Sequence, residues 1–214
     1  TFMRHFEDEL EEVKRWTGTP IGKSTKTVSS HDSFFGPAAF TDLIHNLQLQ
    51  LSGADISFSA PLTFDATIRE GDITVADMFK LCKYENSIYV IRMTGEEIRK
   101  YLEMSYSLWT STMLSPDDHI MKLRSDSRAG HERTVFLNQT YNFDSAAGID
   151  YLVDVTKPEG HKVKILRMTG GLPFDERKTY LVALNSYRAN GGGELLEKGA
   201  GIRKQDLESR IVQK

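Results

Sequence analysis

The sequence predicts an α+β domain, a mixed sheet with helices packed on one side of it. Three observations point there. Helical periodicity dominates the first half. Runs rich in β-branched and aromatic residues crowd the last third. One strand-then-helix unit joins the two regions.

The elements follow in order. Phe2, Phe6, Leu10, Val13 and Trp16 recur at steps of three and four, with acidic residues on the other face, so the opening predicts an amphipathic helix stopped by "TGTP". A second helix is expected over "AAFTDLIHNLQLQL", with Phe40, Leu43, Ile44 and Leu47 on one face. "ADISFS" reads as a short buried strand. "GDITVADMFKLC" reads as a turn, a cap at Thr74 and a short helix. "NSIYVIRMTG" is a strand, and Thr94 with Glu97 forms a capping box opening "EEIRKYLEMSYSLW". Beyond Thr110 the chain is polar to about Glu132, which suggests a loop. Strands are then expected over "TVFLNQTYNFD", "IDYLVDVT", "KVKILRMTG" and "KTYLVALNSY".

Composition excludes several classes. The chain has 214 residues and a formal net charge of -3, which gives no basic face for nucleic acid. No run has the length of a membrane span, and "TFMRHFEDEL" shows no apolar signal-peptide core. Cys82 is the single cysteine, so no intrachain disulfide or cysteine metal site forms. Its neighbours in "MFKLC" predict a buried, inert thiol. The six histidines make neither H-E-x-x-H nor a Cys/His cluster, and surface or capping roles are expected for them. "GTPIGKST" resembles a phosphate-binding loop, but Gly18 and Gly22 stand one residue too close. No G-x-S-x-G elbow is present. The chain therefore carries no catalytic residue and no metal ligand set of its own. The sequon at Asn138 matters only in a glycosylating host.

What remains is "NSYRANGGGE". Tyr187, Arg188 and Asn190 stand at the end of a strand-like run, directly before three glycines. Glycine permits positive φ and close backbone approach, and exposed N–H groups there can face a polar ligand. Such clusters also mark plain turns, so both readings stand on the glycines alone. Tyr84 in "CKYENS" is a second aromatic beside a loop, where binding residues concentrate. Two such rings could clamp a planar group.

The order of the segments "FFGPAAFTDLIHNLQ", "DISFSAPLTFDATIREGDITVADMFKLCKYENSIYVIRMTGEEIRKYLE", "YNFDSAAGIDYLVDVT" and "KTYLVALNSYRANGGGE" resembles the C-terminal domain of the 5'-nucleotidase family, which includes the 2',3'-cyclic-nucleotide 2'-phosphodiesterases/3'-nucleotidases. The likeness runs from residue 21 to the end. It implies that residues 1–20 are a linker helix from an N-terminal calcineurin-like metallophosphatase domain, which holds two divalent metal ions. It implies that residues 21–214 bind the nucleoside part of a nucleotide substrate and carry no cofactor. Tyr84 and Tyr187 would stack the base, and Asn190, Gly191 and Gly192 would close the backbone around it. Many 5'-nucleotidases have Asn-Gly-Gly-Ile-Arg where this chain has "FSAPLTF", so Ser59 becomes the candidate polar contact. The family also implies a periplasmic or cell-envelope location. A stand-alone nucleoside-binding module, or an interaction domain with a decayed pocket, are the other readings.

Overall fold

The computed structural model describes residues 6–124 and 135–214. Phe2, His5, His131 and the end of the predicted polar loop lie outside them. In chain order the elements are α1 (Glu7–Thr17), β1 (Pro20–Ser24), β2 (Val28–Ser29), α2 (Ala39–Ser52), β3 (Ile56–Ser59), β4 (Thr67–Ile68), β5 (Gly71–Thr74), α3 (Val75–Leu81), β6 (Ile88–Thr94), α4 (Gly95–Trp109), β7 (Ser145–Ala147), β8 (Ile149–Val153), β9 (Val163–Met168), β10 (Thr179–Asn185), α5 (Ser186–Ala189), α6 (Leu207–Arg210) and β11 (Ile211–Gln213).

The main sheet is mixed, with strand order β11-β6-β10-β3-β7. Only β10 and β3 run parallel; β6, β7 and β11 pair antiparallel to their neighbours. All four residues of β3 are buried, as a strand covered on both faces requires. Side chains alternate along a strand, so Ser57 and Phe58 point to opposite faces. Ser57 meets His45 and Gln48 of α2, while Phe58 stacks on Tyr101 of α4 at 4.2 Å. Helices therefore cover both sides of the sheet, not one.

The capping box forms as expected: Glu97 N donates to Thr94 Oγ1 at 3.2 Å, and Thr94 N to Glu97 Oε2 at 2.8 Å. The far end of α4 is tied to β9 by Lys162. Its buried ammonium donates to the Thr110 and Ser111 carbonyls and to Thr110 Oγ1, a favourable place for a cation at a helix C-terminus. Beside α4, Phe34, Phe136, Phe143, Tyr106 and Trp109 form an aromatic core, with Trp109 stacked on Phe143 at 5.6 Å.

Four expectations are corrected. Helix α2 turns Phe40, Thr41, His45 and Gln48 inward and leaves Leu43, Leu47 and Leu51 exposed. The polar residues win because the sheet face opposite them offers the hydroxyls of Ser57 and Ser145. His45 is thus a buried histidine, not a surface or capping one. Cys82 is exposed, because α3 is only seven residues long and Cys82 is its C-cap. Over residues 135–144 the expected strand shrinks to a single antiparallel bridge between Phe136 and Leu123, and beyond it the side chains bond elsewhere. Asn138 Nδ2 donates to the Leu108 carbonyl at 2.7 Å and Thr140 Oγ1 to the Leu62 carbonyl at 3.0 Å, and a short 3-10 turn follows at Thr140–Asn142.

α1 buries no residue. Leu10, Val13 and Trp16 stay about half exposed, and Trp16 touches Phe79 of α3 edge-on at 6.3 Å. No helix of the described residues is long and apolar enough to cross a membrane.

Candidate functional site

Topology gathers three loops at one end of the sheet. Ile88 at the start of β6 pairs with Asn185 at the end of β10, so the Tyr84 loop and the Tyr187 turn emerge side by side. β10 and β3 are parallel, so β3 ends there too. Ser59, its last residue, pairs with Ser145, the first residue of β7, which brings residues 138–144 to the same end. The carboxyl ends of parallel strands are the customary place for a ligand crevice in α/β sheets.

The first two loops are bonded together. Asn86 Oδ1 accepts from Ser186 Oγ at 3.1 Å and from Tyr187 N at 3.3 Å. Ser186 N donates to the Ser87 carbonyl at 2.8 Å. Tyr84 and Tyr187 keep 46 and 44 % of their surface exposed, so neither is a core residue. A pocket opens beside Tyr84, lined by Leu62, Lys83 and residues 138–141. Tyr141 of that wall meets Tyr187 edge-on, ring centres 6.1 Å apart and planes at 89°. Tyr141 thereby joins the pocket at Tyr84 to the ring of Tyr187.

Tyr187 stands on a helical turn and not at a strand end. Asn185 caps that turn, its Oδ1 accepting from Arg188 N at 2.8 Å. The glycines after it serve the protein itself. A Cβ on Gly192 would lie 2.5 Å from two ring carbons of Tyr187. One on Gly193, where φ is +68°, would lie 2.2 Å from Arg188 Nη1 and from Asn142 Oδ1. Gly191 has φ +88°. The missing side chains seat the Tyr187 ring and the Arg188 fork. Asn190 is exposed and its Nδ2 donates to the Ser186 carbonyl at 2.8 Å.

Arg188 is the buried centre of this end, 2 % exposed. All five of its N–H donors are used. Nε and Nη2 meet Asp144 at 3.1 and 2.8 Å. Nη1 reaches Asn142 Oδ1 and the Gly192 carbonyl at 3.1 and 2.7 Å, and Nη2 also reaches the Tyr141 carbonyl at 2.7 Å. Asp144 accepts a further short bond from the Tyr101 hydroxyl. Burial works against the guanidinium's charge, but Asp144 outweighs it and holds the Arg188 pKa above its ordinary value. Burial first, and Asp144 second, push the Tyr101 hydroxyl well up, so it stays a donor. One side chain thus clamps residues 141–144 to the glycine turn.

The structure therefore brings Tyr84, Tyr187 and Gly192 to one end and keeps Asn190 and Gly191 on the same turn. Ser59 is not among the pocket residues: it is 8 % exposed, enclosed with the rest of β3. Tyr141, Gln139, Lys83 and Asp144, the partner of Arg188, were not legible as site residues. The only signal was the polar cluster "NQT" between Leu137 and Tyr141, which argues for a loop. Among the described residues no group of three or more His, Cys, Asp or Glu is placed to hold a metal ion. The residues present here do not fit the two metals of a metallophosphatase centre.

Comparison with known proteins gives the family. Residues 20–198 match the family described as 5'-nucleotidase, C-terminal domain. The chain is 30 % identical to a 2',3'-cyclic-nucleotide 2'-phosphodiesterase/3'-nucleotidase of Salmonella typhimurium over 84 % of its length and 31 % of the relative's. In fold it is similar to a Staphylococcus aureus protein assigned as a 5'-nucleotidase, with TM-score 0.70 and 22 % identity over 90 % of this chain and 36 % of that one. It is also similar to a Thermus thermophilus 5'-nucleotidase precursor, with TM-score 0.64 and 20 % identity over 89 % and 34 %. The chain spans less than a third of the length of the curated relatives it matches. With the match covering most of its residues, the chain belongs to the 5'-nucleotidase C-terminal domain family.

Proposed function

We propose that residues 21–214 are the nucleoside-binding domain of a metal-dependent nucleotide phosphohydrolase, a 5'-nucleotidase or cyclic-nucleotide phosphodiesterase. Residues 1–20 serve as the linker from an N-terminal metallophosphatase domain of the same parent chain. The observation that carries the reading is the pair of half-exposed tyrosines on two loops bonded to each other beside an open pocket. A nucleobase is flat and takes a ring on each face. Tyr84 and Tyr187 are the stacking rings, the turn at Asn190, Gly191 and Gly192 holds one of them in place, and Ser59 has no part. The parent's two divalent metal ions supply the activated water and charge stabilisation. This chain's residues bind and orient the substrate. The family's usual setting makes the periplasm or cell envelope the proposed location.

Tyr187→Ala is expected to weaken adenosine binding to this chain roughly tenfold, from about 1–3 kcal/mol of stacking. Tyr187→Phe keeps the face and should bind nearly as the wild type does. Calorimetric titration gives both constants. Thermal melting should show no more than about 1.5 kcal/mol lost, the edge contact with Tyr141. Unchanged affinity together with a collapse in melting temperature would make Tyr187 a packing residue and defeat the reading.

A further inference from the structure

We propose that Lys83 and Gln139 read the edge of the bound base, and that they favour bases presenting a carbonyl oxygen over bases presenting an exocyclic amine. This rests on the nucleoside reading above and adds which bases the site takes.

The pocket beside Tyr84 shares a wall with Tyr187, because Tyr141 lines the one and meets the other edge-on. A ring lying against Tyr84 and Tyr187 turns one edge toward residues 138–141. The polar side chains on that wall divide into two sets. Asn138 and Thr140 are already committed, donating to the Leu108 and Leu62 carbonyls at 2.7 and 3.0 Å. Gln139 and Lys83 are exposed, and neither side chain has a hydrogen bond or ion pair among the described residues. Beside the hydroxyls of Tyr84 and Tyr141, they are the exposed polar side chains of this lining that can meet a ligand edge. Among the described residues, no Asp or Glu lines the pocket.

The chemistry then sets the preference. A lysine ammonium offers donors only, whereas a carboxamide turns either its donor or its acceptor outward. A carbonyl oxygen on the base accepts from both Lys83 and Gln139. An exocyclic amine pairs with the Gln139 oxygen alone and gives Lys83 a donor in place of an acceptor, so the exposed ammonium keeps water or a ring nitrogen and gains no bond to that substituent. A site that loses one of its hydrogen bonds with the wrong ligand discriminates against it. Inosine and adenosine share the sugar and the purine frame and differ at the six position, oxygen against amine, and in the N1 proton that accompanies the oxygen; the Lys83 variant separates the two differences.

The test titrates the 214-residue chain with inosine and with adenosine, following amide and side-chain resonances by NMR. Inosine should bind roughly five- to tenfold tighter, the worth of one charge-assisted hydrogen bond in partial solvent. The Gln139 side-chain amide should shift with either nucleoside. Lys83→Met should bring the ratio near one by weakening inosine. Gln139→Leu should weaken both. Tyr187→Ala should weaken both and leave the ratio alone. Equal affinity in the wild type with Tyr187→Ala still damaging, a tighter adenosine complex, or a ratio indifferent to Lys83→Met would overturn the edge inference and leave the stacking reading standing. No binding of either nucleoside by a folded chain would overturn both.

Discussion

Arg188→Met is expected to remove about 3–5 kcal/mol of stability, the cost of leaving one member of a buried ion pair without the other. Asp144 is 3 % exposed and would keep only the Tyr101 hydroxyl. The carbonyls of Tyr141 and Gly192 and the amide of Asn142 would lose their donor as well. For a chain of this size the melting temperature should fall by roughly 6–20 °C. The double change Arg188→Met with Asp144→Leu should lose less than the single one, because no lone charge is left behind. Thermal and urea unfolding measure both. A single variant melting within about 2 °C of the wild type would contradict the clamp. The loss should also be felt at the surface, since the clamp sets Tyr141 against Tyr187.

Acidification is expected to destabilise the domain through His45. This ring is 2 % exposed, and burial lowers its pKa from 6.5 to about 4, with Asp144 opposing that shift. Its Nδ1 lies 2.9 Å from Ser57 Oγ, which itself donates to Gln48 Oε1, and its Nε2 lies 3.1 Å from Ser145 Oγ. A neutral ring with its proton on Nδ1, assigned from these partners, satisfies both contacts. The folded-state pKa is depressed, so the unfolded chain binds the proton first as pH falls. The stabilising contribution is complete above about pH 6.5 and is lost progressively down to about pH 4, by about 3 kcal/mol in all. His45→Gln should flatten the stability profile by close to one proton over that window. A profile identical to the wild type's would show that His45 titrates normally.

Sequence and structure part company where tertiary partners decide. The β6–α4 junction was legible because its signal is local: Thr94 and Glu97 stand three apart and bond to each other. The position of α2 was legible and its face was not. Apolar residues need not be inside, and the serines that draw His45 and Gln48 inward lie on β3 and β7. Residues 135–144 carry enough β-branched and aromatic character to look like a strand, yet Asn138 and Thr140 spend their side chains on distant carbonyls. Tyr84 and Tyr187 stood out as aromatics beside loops, and they are indeed exposed at one end of the sheet. The glycines stood out too, and packing gives them a further reason that was not legible. They leave room for the Tyr187 ring and for an arginine whose carboxylate partner is far away in sequence. No local pattern announces such a pair.

Whether a base lies between the two tyrosines is tested most directly by nuclear Overhauser contacts in a nucleoside complex with labelled tyrosine rings. The account predicts contacts from the base protons of inosine to the rings of both Tyr84 and Tyr187, and upfield ring-current shifts of those protons that vanish in Tyr187→Ala. Base protons that contact neither ring, or one ring only with unchanged shifts in the Ala variant, would contradict it.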